Sequence, residues 1–113
     1  MKKEYRVKKG SEIEAIIKHR QSAGNKYFVV YTKKNHEQSH FRFAVSVPKK
    51  YGNAVERNKI KRQIREVIAK YGVVDVVDIF IVVKSTAKGL SFQSITETLT
   101  NLIDKQLKRG ESK

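Results

Sequence analysis

Residues 52–65, Gly-Asn-Ala-Val-Glu-Arg-Asn-Lys-Ile-Lys-Arg-Gln-Ile-Arg, constrain this chain more than any other stretch. Wound as a helix they acquire three faces, where an ordinary amphipathic helix has two. At about 100° per residue, Arg57, Asn58, Lys61, Arg62 and Arg65 share one arc of roughly 140°. Ile60, Ile64, Val67, Ile68 and Tyr71 take a neighbouring arc, and Lys59, Gln63, Glu66 and Lys70 the third. A merely solvated face would intersperse Glu or Asp at spacings of three and four to relieve repulsion. No carboxylate lies in this stripe. Cations held side by side cost folding free energy, so an anionic, multivalent partner is expected to compensate them. Asn58 adds a carboxamide that can hydrogen-bond a base edge, a ribose or a phosphate. A charged face without a role is the competing reading.

Composition agrees with the stripe. The 113 residues carry 25 Lys plus Arg against 11 Asp plus Glu, a formal charge of +14. That excess is the electrostatic footprint of a nucleic-acid binder. High net charge also accompanies disorder, but 39% hydrophobic residues in periodic runs point to a folded domain. The length suits one domain over residues 1–113. No run approaches the roughly 18 apolar residues of a membrane span, and the start Met-Lys-Lys-Glu-Tyr-Arg lacks the apolar core of a secretion signal. With no Cys there is no disulfide framework or thiolate metal site. A cytoplasmic location without membrane contact is the expectation.

Punctuation along the chain predicts the elements. Ser11 and Glu14 form a capping-box pattern ahead of Ile13, Ile16 and Ile17, giving a short helix over residues 12–20 that ends before a loop at Ser22-Ala23-Gly24-Asn25. Residues 26–33 are rich in aromatic and β-branched side chains and predict a strand, with Tyr27, Val29 and Tyr31 on one face and Phe28 and Val30 on the other. After a polar turn at 34–39, Phe41, Phe43, Val45 and Val47 alternate with polar or small residues, which predicts a half-buried antiparallel partner strand ended by Pro48. Asn53 with Glu56 can cap the basic helix, and Gly72 can stop it. Residues 78–84 are almost continuously apolar and predict a central, doubly covered strand. Ser91 opens a last helix with a buried stripe of Phe92, Ile95, Leu99, Leu102 and Ile103, and residues 108–113 are expected to fray. An extra edge strand fits within residues 4–10 or 73–77. The fold class is α+β, a small two-layer sandwich in which three helices pack on a mixed sheet of about four strands, in the order α-β-β-(β)-α-β-α.

Catalytic groups are scarce. Nucleases and phosphoryl-transfer enzymes commonly gather carboxylates around divalent ions. Here Asp75 and Asp78 form the only close Asp pair, and a turn and strand cap explains them as well. His19, His36 and His40 lack helical metal-ligand presentation, and neither a phosphate-binding glycine loop nor a nucleophile elbow is present. The protein alone reads as a binder with no catalytic residue and no metal site of its own. Tyr27, Val29 and Tyr31 could stack unpaired bases on an open sheet face, or pack as ordinary core.

The residues resemble the protein component of bacterial ribonuclease P. Gly52-Asn53-Ala54-Val55 followed by Arg57-Asn58, Lys61-Arg62 and Arg65 reproduces that family's Arg-Asn-x-x-Lys-Arg-x-x-Arg motif without a gap. Tyr5-Arg6-Val7-Lys8-Lys9, Asn25 with Phe28-Val29-Val30-Tyr31-Thr32, Phe41-Arg42, and Ser46-Val47 with Lys49-Lys50 stand in the expected order, so the resemblance spans residues 4–107. It implies a subunit that joins a large catalytic RNA in an endoribonuclease, the holoenzyme removing the 5′ leader of precursor tRNA by metal-assisted hydrolysis. Mg²⁺ and the chemistry would belong to the RNA, with the protein a monomer in the complex. By position, Arg57, Asn58, Lys61, Arg62 and Arg65 would face the catalytic RNA. Ile13, Ile17, Val29 and Tyr31 would line a leader cleft, with Lys49 and Lys50 nearby. A left-handed strand-helix-strand crossover around the basic helix is likewise implied by the family, against the usual right-handed rule. Ile13 and Ile17 stand where the family usually carries aromatic residues, which exchanges stacking for apolar contact, and Pro48 stands where Ser is usual. The alternative is a ribosomal or general RNA-binding protein without an enzymatic role. A DNA-binding regulator is disfavoured, because no helix-turn-helix spacing precedes residue 54.

Overall fold

The computed structural model describes residues 7, 10–19, 21–34, 40–73 and 76–108. Three helices, α1 (Gly10–Lys18), α2 (Ala54–Tyr71) and α3 (Phe92–Lys108), accompany four strands, β1 (Ser22–Gly24), β2 (Phe28–Lys34), β3 (Arg42–Ser46) and β4 (Val77–Val83). Short 3₁₀ turns lie at Lys49–Tyr51 and Ser85–Ala87. The strands form one mixed sheet in the order β1-β2-β4-β3.

β4 sits at the centre because it cannot sit elsewhere. Val77, Ile79, Phe80, Ile81 and Val83 are all buried, on both faces of the sheet, and an edge position would leave this apolar strand half wet. β2 pairs with it antiparallel, Val30 opposite Ile81, and β3 pairs with it parallel, Val45 opposite Ile81. This corrects the expectation that residues 41–47 form an antiparallel partner of β2. A parallel neighbour needs a long crossover, and α2 supplies it between β3 and β4.

The fourth strand lies where a loop was expected. Ser22–Gly24 pairs antiparallel with β2, Ser22 opposite Tyr31. Asn25 makes the turn: its Oδ1 accepts from the backbone N–H of Tyr27 (2.8 Å) and Phe28 (2.9 Å). Tyr27 therefore precedes the strand and packs at the main core, away from the Val29 and Tyr31 face. Of the two segments where an edge strand was expected, the described part of 73–77 supplies Val77, the first residue of β4, and residues 74–75 lie outside the described residues. Most of residues 4–10 lies outside the described residues, although Val7 N–H donates to Phe43 O at 3.0 Å. α1 begins at Gly10, two residues earlier than its capping pattern suggested, so Ser11 is inside the helix. The fraying expected beyond Lys108 falls outside the described residues.

The main core lies between the sheet and the pair α2 and α3. Phe28, Val30, Ile79, Ile81 and Val83 meet Ile60, Ile64 and Ile68 of α2 and Ile95, Leu99, Leu102 and Ile103 of α3. Each such side chain, fully removed from water, contributes about 1.5–3 kcal/mol. Thr32 on the same face donates its hydroxyl to Gln106 Oε1 of α3 at 2.8 Å. Among the described residues the opposite face is covered by α1 and Val7, in a small cluster of Val7, Ile16 and Phe80.

Candidate nucleic-acid interface

α2 is started and stopped by local chemistry, which fixes where its cations point. Asn53 Oδ1 accepts from Glu56 N–H and Glu56 Oε1 accepts from Asn53 N–H, both at 2.9 Å, a reciprocal capping box. Gly72 closes the helix in the left-handed region at φ 70°, where a side chain would be strained. The Glu56 carboxyl is held below its usual range by the Asn53 backbone N–H and then by Lys88, whose Nζ lies 3.3 Å away. Gly52 fits this cap closely, since a Cβ there would strike the Glu56 side chain.

With Ile60, Ile64, Val67 and Ile68 buried, the stripe divides into parts. Asn58, Lys61 and Arg65 form one wall of a cleft of about 740 Å³ whose other walls include Ile13 of α1, Val7, Phe80 and the length of β3. Arg65 Nε donates to Lys61 O at 3.4 Å, which ties that side chain back to its own helix. Arg57 lies next to the apolar arc and is half-buried, and its Nε is buried without a hydrogen-bond partner among the described residues. Arg62 trails Asn58 by about 40° around the helix and lies in a different depression, with Lys59, Gln63, Glu66 and Phe92.

The residues expected to line a leader cleft are not all brought together. Ile13 is in the cleft. Tyr31 packs beside it in the α1 cluster, its ring 6.0 Å from that of Phe80 and tilted by 31°. Val29 is half-buried on the same sheet face, while Ile17 is 39% exposed on the outer side of α1. Lys49 is exposed in the 3₁₀ turn, and Lys50 lines a separate cavity with Lys26 and Lys84.

Sequence reasoning missed the device that seats α1. Arg42 Nε and Nη2 donate to Asp78 Oδ1 and Oδ2 at 3.0 and 2.9 Å, and Nη2 also donates to Glu12 Oε2 at 2.8 Å. The Asp78 hydrogen bond raises the Arg42 guanidinium above its ordinary range; burial opposes this and Glu12 adds to it. One side chain thus ties β3, β4 and α1 together. The signal was available in an Arg on a strand and an Asp opening an apolar one, but only the register of β3 on β4, Arg42 opposite Asp78, makes them neighbours. Asp78 is therefore an ion-pair partner, which replaces the turn or cap role considered for it; Asp75 and His36 lie outside the described residues. His19 is exposed, and His40 Nδ1 lies 2.8 Å from Phe41 O. Among the described residues no three His, Cys, Asp or Glu gather as a metal site, and no helix is long and apolar enough to cross a membrane.

Comparison with known proteins places this geometry. The family profile described as Ribonuclease P matches residues 1–107. The ribonuclease P protein component of Staphylococcus epidermidis is 42% identical over 111 residues, which covers 91% of this chain and 90% of that one. That of Macrococcus caseolyticus is 43% identical over 104 residues, with 91% and 90% covered. A structure of a Staphylococcus aureus RNase P protein mutant superposes with a TM-score of 0.85 at 41% identity, covering 90% of this chain and 87% of that one. The RNase P protein from Thermotoga maritima superposes at 0.77 with 30% identity, covering 86% and 93%. These matches disfavour a ribosomal or general RNA-binding protein. Strand order, capped basic helix and sequence identity over nine-tenths of the length agree: the chain belongs to the ribonuclease P protein family, as the protein subunit of a tRNA-processing ribonucleoprotein.

Proposed function

We propose that this subunit joins the catalytic RNA of ribonuclease P in the cytoplasm, one protein copy per complex, and assists endonucleolytic removal of the 5′ leader from precursor tRNA. The observation that carries this reading is the cleft in which Asn58, Lys61 and Arg65 of α2 face Ile13 and β3. Such a groove has a cationic wall for phosphates and an apolar wall for bases. Arg57 and Arg62 extend the cationic surface on either side, so the ribozyme-facing set is Arg57, Asn58, Lys61, Arg62 and Arg65. The leader-facing set is Ile13, Ile17, Val29 and Tyr31 on the α1 side of the sheet, with Lys49 and Lys50 beyond the end of β3.

Catalysis is assigned to the RNA. The carboxylates of Asp78, Glu12 and Glu56 do not suit a protein-held Mg²⁺, because Asp78 and Glu12 are bonded to Arg42 and Glu56 is held by Asn53 and Lys88. No step is routed through a metal on this chain. Its own side chains neutralise phosphates, hold the leader extended and keep the two RNAs in register.

Reconstitution tests the reading. The protein, inactive alone, is expected to restore precursor tRNA cleavage by a cognate catalytic RNA at low Mg²⁺ and moderate salt. Absence of rescue across a Mg²⁺ series would refute it.

A further inference from the structure

Lys59, Gln63, Glu66 and Lys70 make the third face of α2, and that face is not open to water alone. Lys59, Arg62, Gln63 and Glu66 line a groove of about 230 Å³ whose other wall is Phe92, the first residue of α3. It lies about 120° further around the helix than the α1 cleft. Phe92 belongs to the apolar stripe of α3 yet differs from the rest of it. Ile95, Leu99, Leu102 and Ile103 are at most 2% exposed, whereas Phe92 is only half-buried against the core. The turn before it fixes its place: Ser94 N–H donates to Ser91 Oγ at 3.1 Å and Ile95 N–H to Ser91 O at 3.0 Å. Lys70 Nζ stands 5.6 Å from the ring centroid, a cation–π contact. A half-exposed ring is thus set among the cations Lys59, Arg62 and Lys70. On the same ridge, one turn before Lys59, Val55 is 76% exposed, so this side of α2 offers apolar as well as charged contact.

We propose that this groove takes an unpaired nucleobase of the catalytic RNA, stacked on Phe92 with the Arg62 guanidinium beside it. The inference rests on the chain acting as an RNA-bound subunit and adds a base contact to a surface so far described by charge. A phosphate has no use for a ring, and the Glu66 carboxylate would repel it. A base uses both. An aromatic face or a guanidinium plane stacks it, while the Gln63 carboxamide and the Glu66 carboxylate meet the donors and acceptors along its edge. An ionised carboxylate only accepts, so Glu66 suits an exocyclic amino group and disfavours the carbonyl edge of uracil. The base must be unpaired, because one held inside a duplex has no free face to stack. The volume suits a single ring system, lying below the roughly 300 Å³ at which pockets for drug-sized ligands begin. The groove and the cleft that holds Ile13 are on different sides of α2, so the catalytic RNA, and not the leader, is the strand that reaches Phe92.

Changing the ring separates stacking from charge. Phe92→Trp puts an indole into a chain that has no Trp, and Phe92→Leu keeps an apolar side chain without the aromatic face. Both full-length variants are titrated with the cognate catalytic RNA over a salt series, with thermal unfolding as the check on folding. The indole fluorescence of the first is expected to be quenched on assembly. The second is expected to bind about 5- to 150-fold more weakly, the worth of one stacked base, at an unchanged log–log salt slope because no phosphate contact is lost. Precursor tRNA added afterwards should alter neither result. An indole left unquenched by the catalytic RNA overturns the site, even where Phe92→Leu fails to fold. So does an unchanged affinity of folded Phe92→Leu, a fall in its salt slope, or quenching that appears only with precursor tRNA. In those outcomes the unaltered protein still binds the catalytic RNA and the parent reading stands, whereas its failure to bind overturns both.

Discussion

The sheet face under α2 and α3 and the face under α1 are held by different forces. The first is closed by interlocking apolar side chains, with Phe28, Val30, Ile64, Ile68, Ile79, Ile81, Leu99 and Ile103 fully buried. The second has, among the described residues, three buried apolar side chains, Val7, Ile16 and Phe80, and an ion cluster in which Arg42 joins Asp78 and Glu12. The contrast teaches a division of labour. Non-directional burial scales with area and favours a closed surface, whereas a bidentate guanidinium fixes the position of a helix while covering little of what lies beside it. The α1 face is thereby seated and still open, which is where the cleft lies.

The comparison is open to breaking in order of expected effect. Leu99→Ala removes a side chain from the closed face and is expected to cost about 3–5 kcal/mol in urea unfolding, against about 2 kcal/mol for Ile16→Ala, whose site can collapse toward solvent. Equal losses would mean that both faces carry the fold alike. Arg42→Ala deprives the Asp78 carboxylate, 6% exposed, of two hydrogen bonds and is expected to cost about 3 kcal/mol. Amide exchange in α1 should rise more than in α3, and Glu12→Gln, at a partner 34% exposed, should do much less. Uniform exchange across both helices would show that the cluster does not specifically seat α1.

The smallest effect sharpens the edge between the faces. Asn53→Ala removes the side-chain half of the α2 capping box and is expected to cost about 1 kcal/mol at neutral pH. Glu56 has a folded-state value below its unfolded one, so its contribution is present above the ordinary carboxylate range, near about 4.3. It disappears as pH falls through the lowered value. The stability gap between the unaltered protein and Glu56→Gln should accordingly narrow in acid, and a gap independent of pH would remove the carboxylate from the cap.

What was legible in the chain was what its physics keeps local. Asn53, Glu56 and Gly72 announce α2 because capping acts within one turn, and residues 78–84 announce a central strand because burial on both faces requires an unbroken apolar run. Ser91 likewise marks α3, and its Oγ accepts from Ser94 N–H at 3.1 Å. Pairing is non-local and was misread: β3 joins β4 and not β2. The three small residues of β1 carry no apolar alternation, so their strand exists only because β2 offers an edge. For the candidate site, the five-residue stripe was visible from helical spacing. Its partition between a cleft and a separate groove was not, nor was the meeting of Lys50 with Lys26 and Lys84, since these depend on where other segments end.

The strand order also has a consequence for how the molecule is made. β4 is the last of the described strands, yet it lies between β2 and β3, so a growing polypeptide presents both neighbours before their shared partner exists. Until then only the β1–β2 hairpin and isolated helices can form, and β2 and β3 carry unpaired edges that invite association between chains. The excess of Lys and Arg over Asp and Glu in the residues before β4 repels one such intermediate from another. The same lysines and arginines that suit the finished protein to RNA thus act earlier, as the chain's protection against its own unfinished sheet.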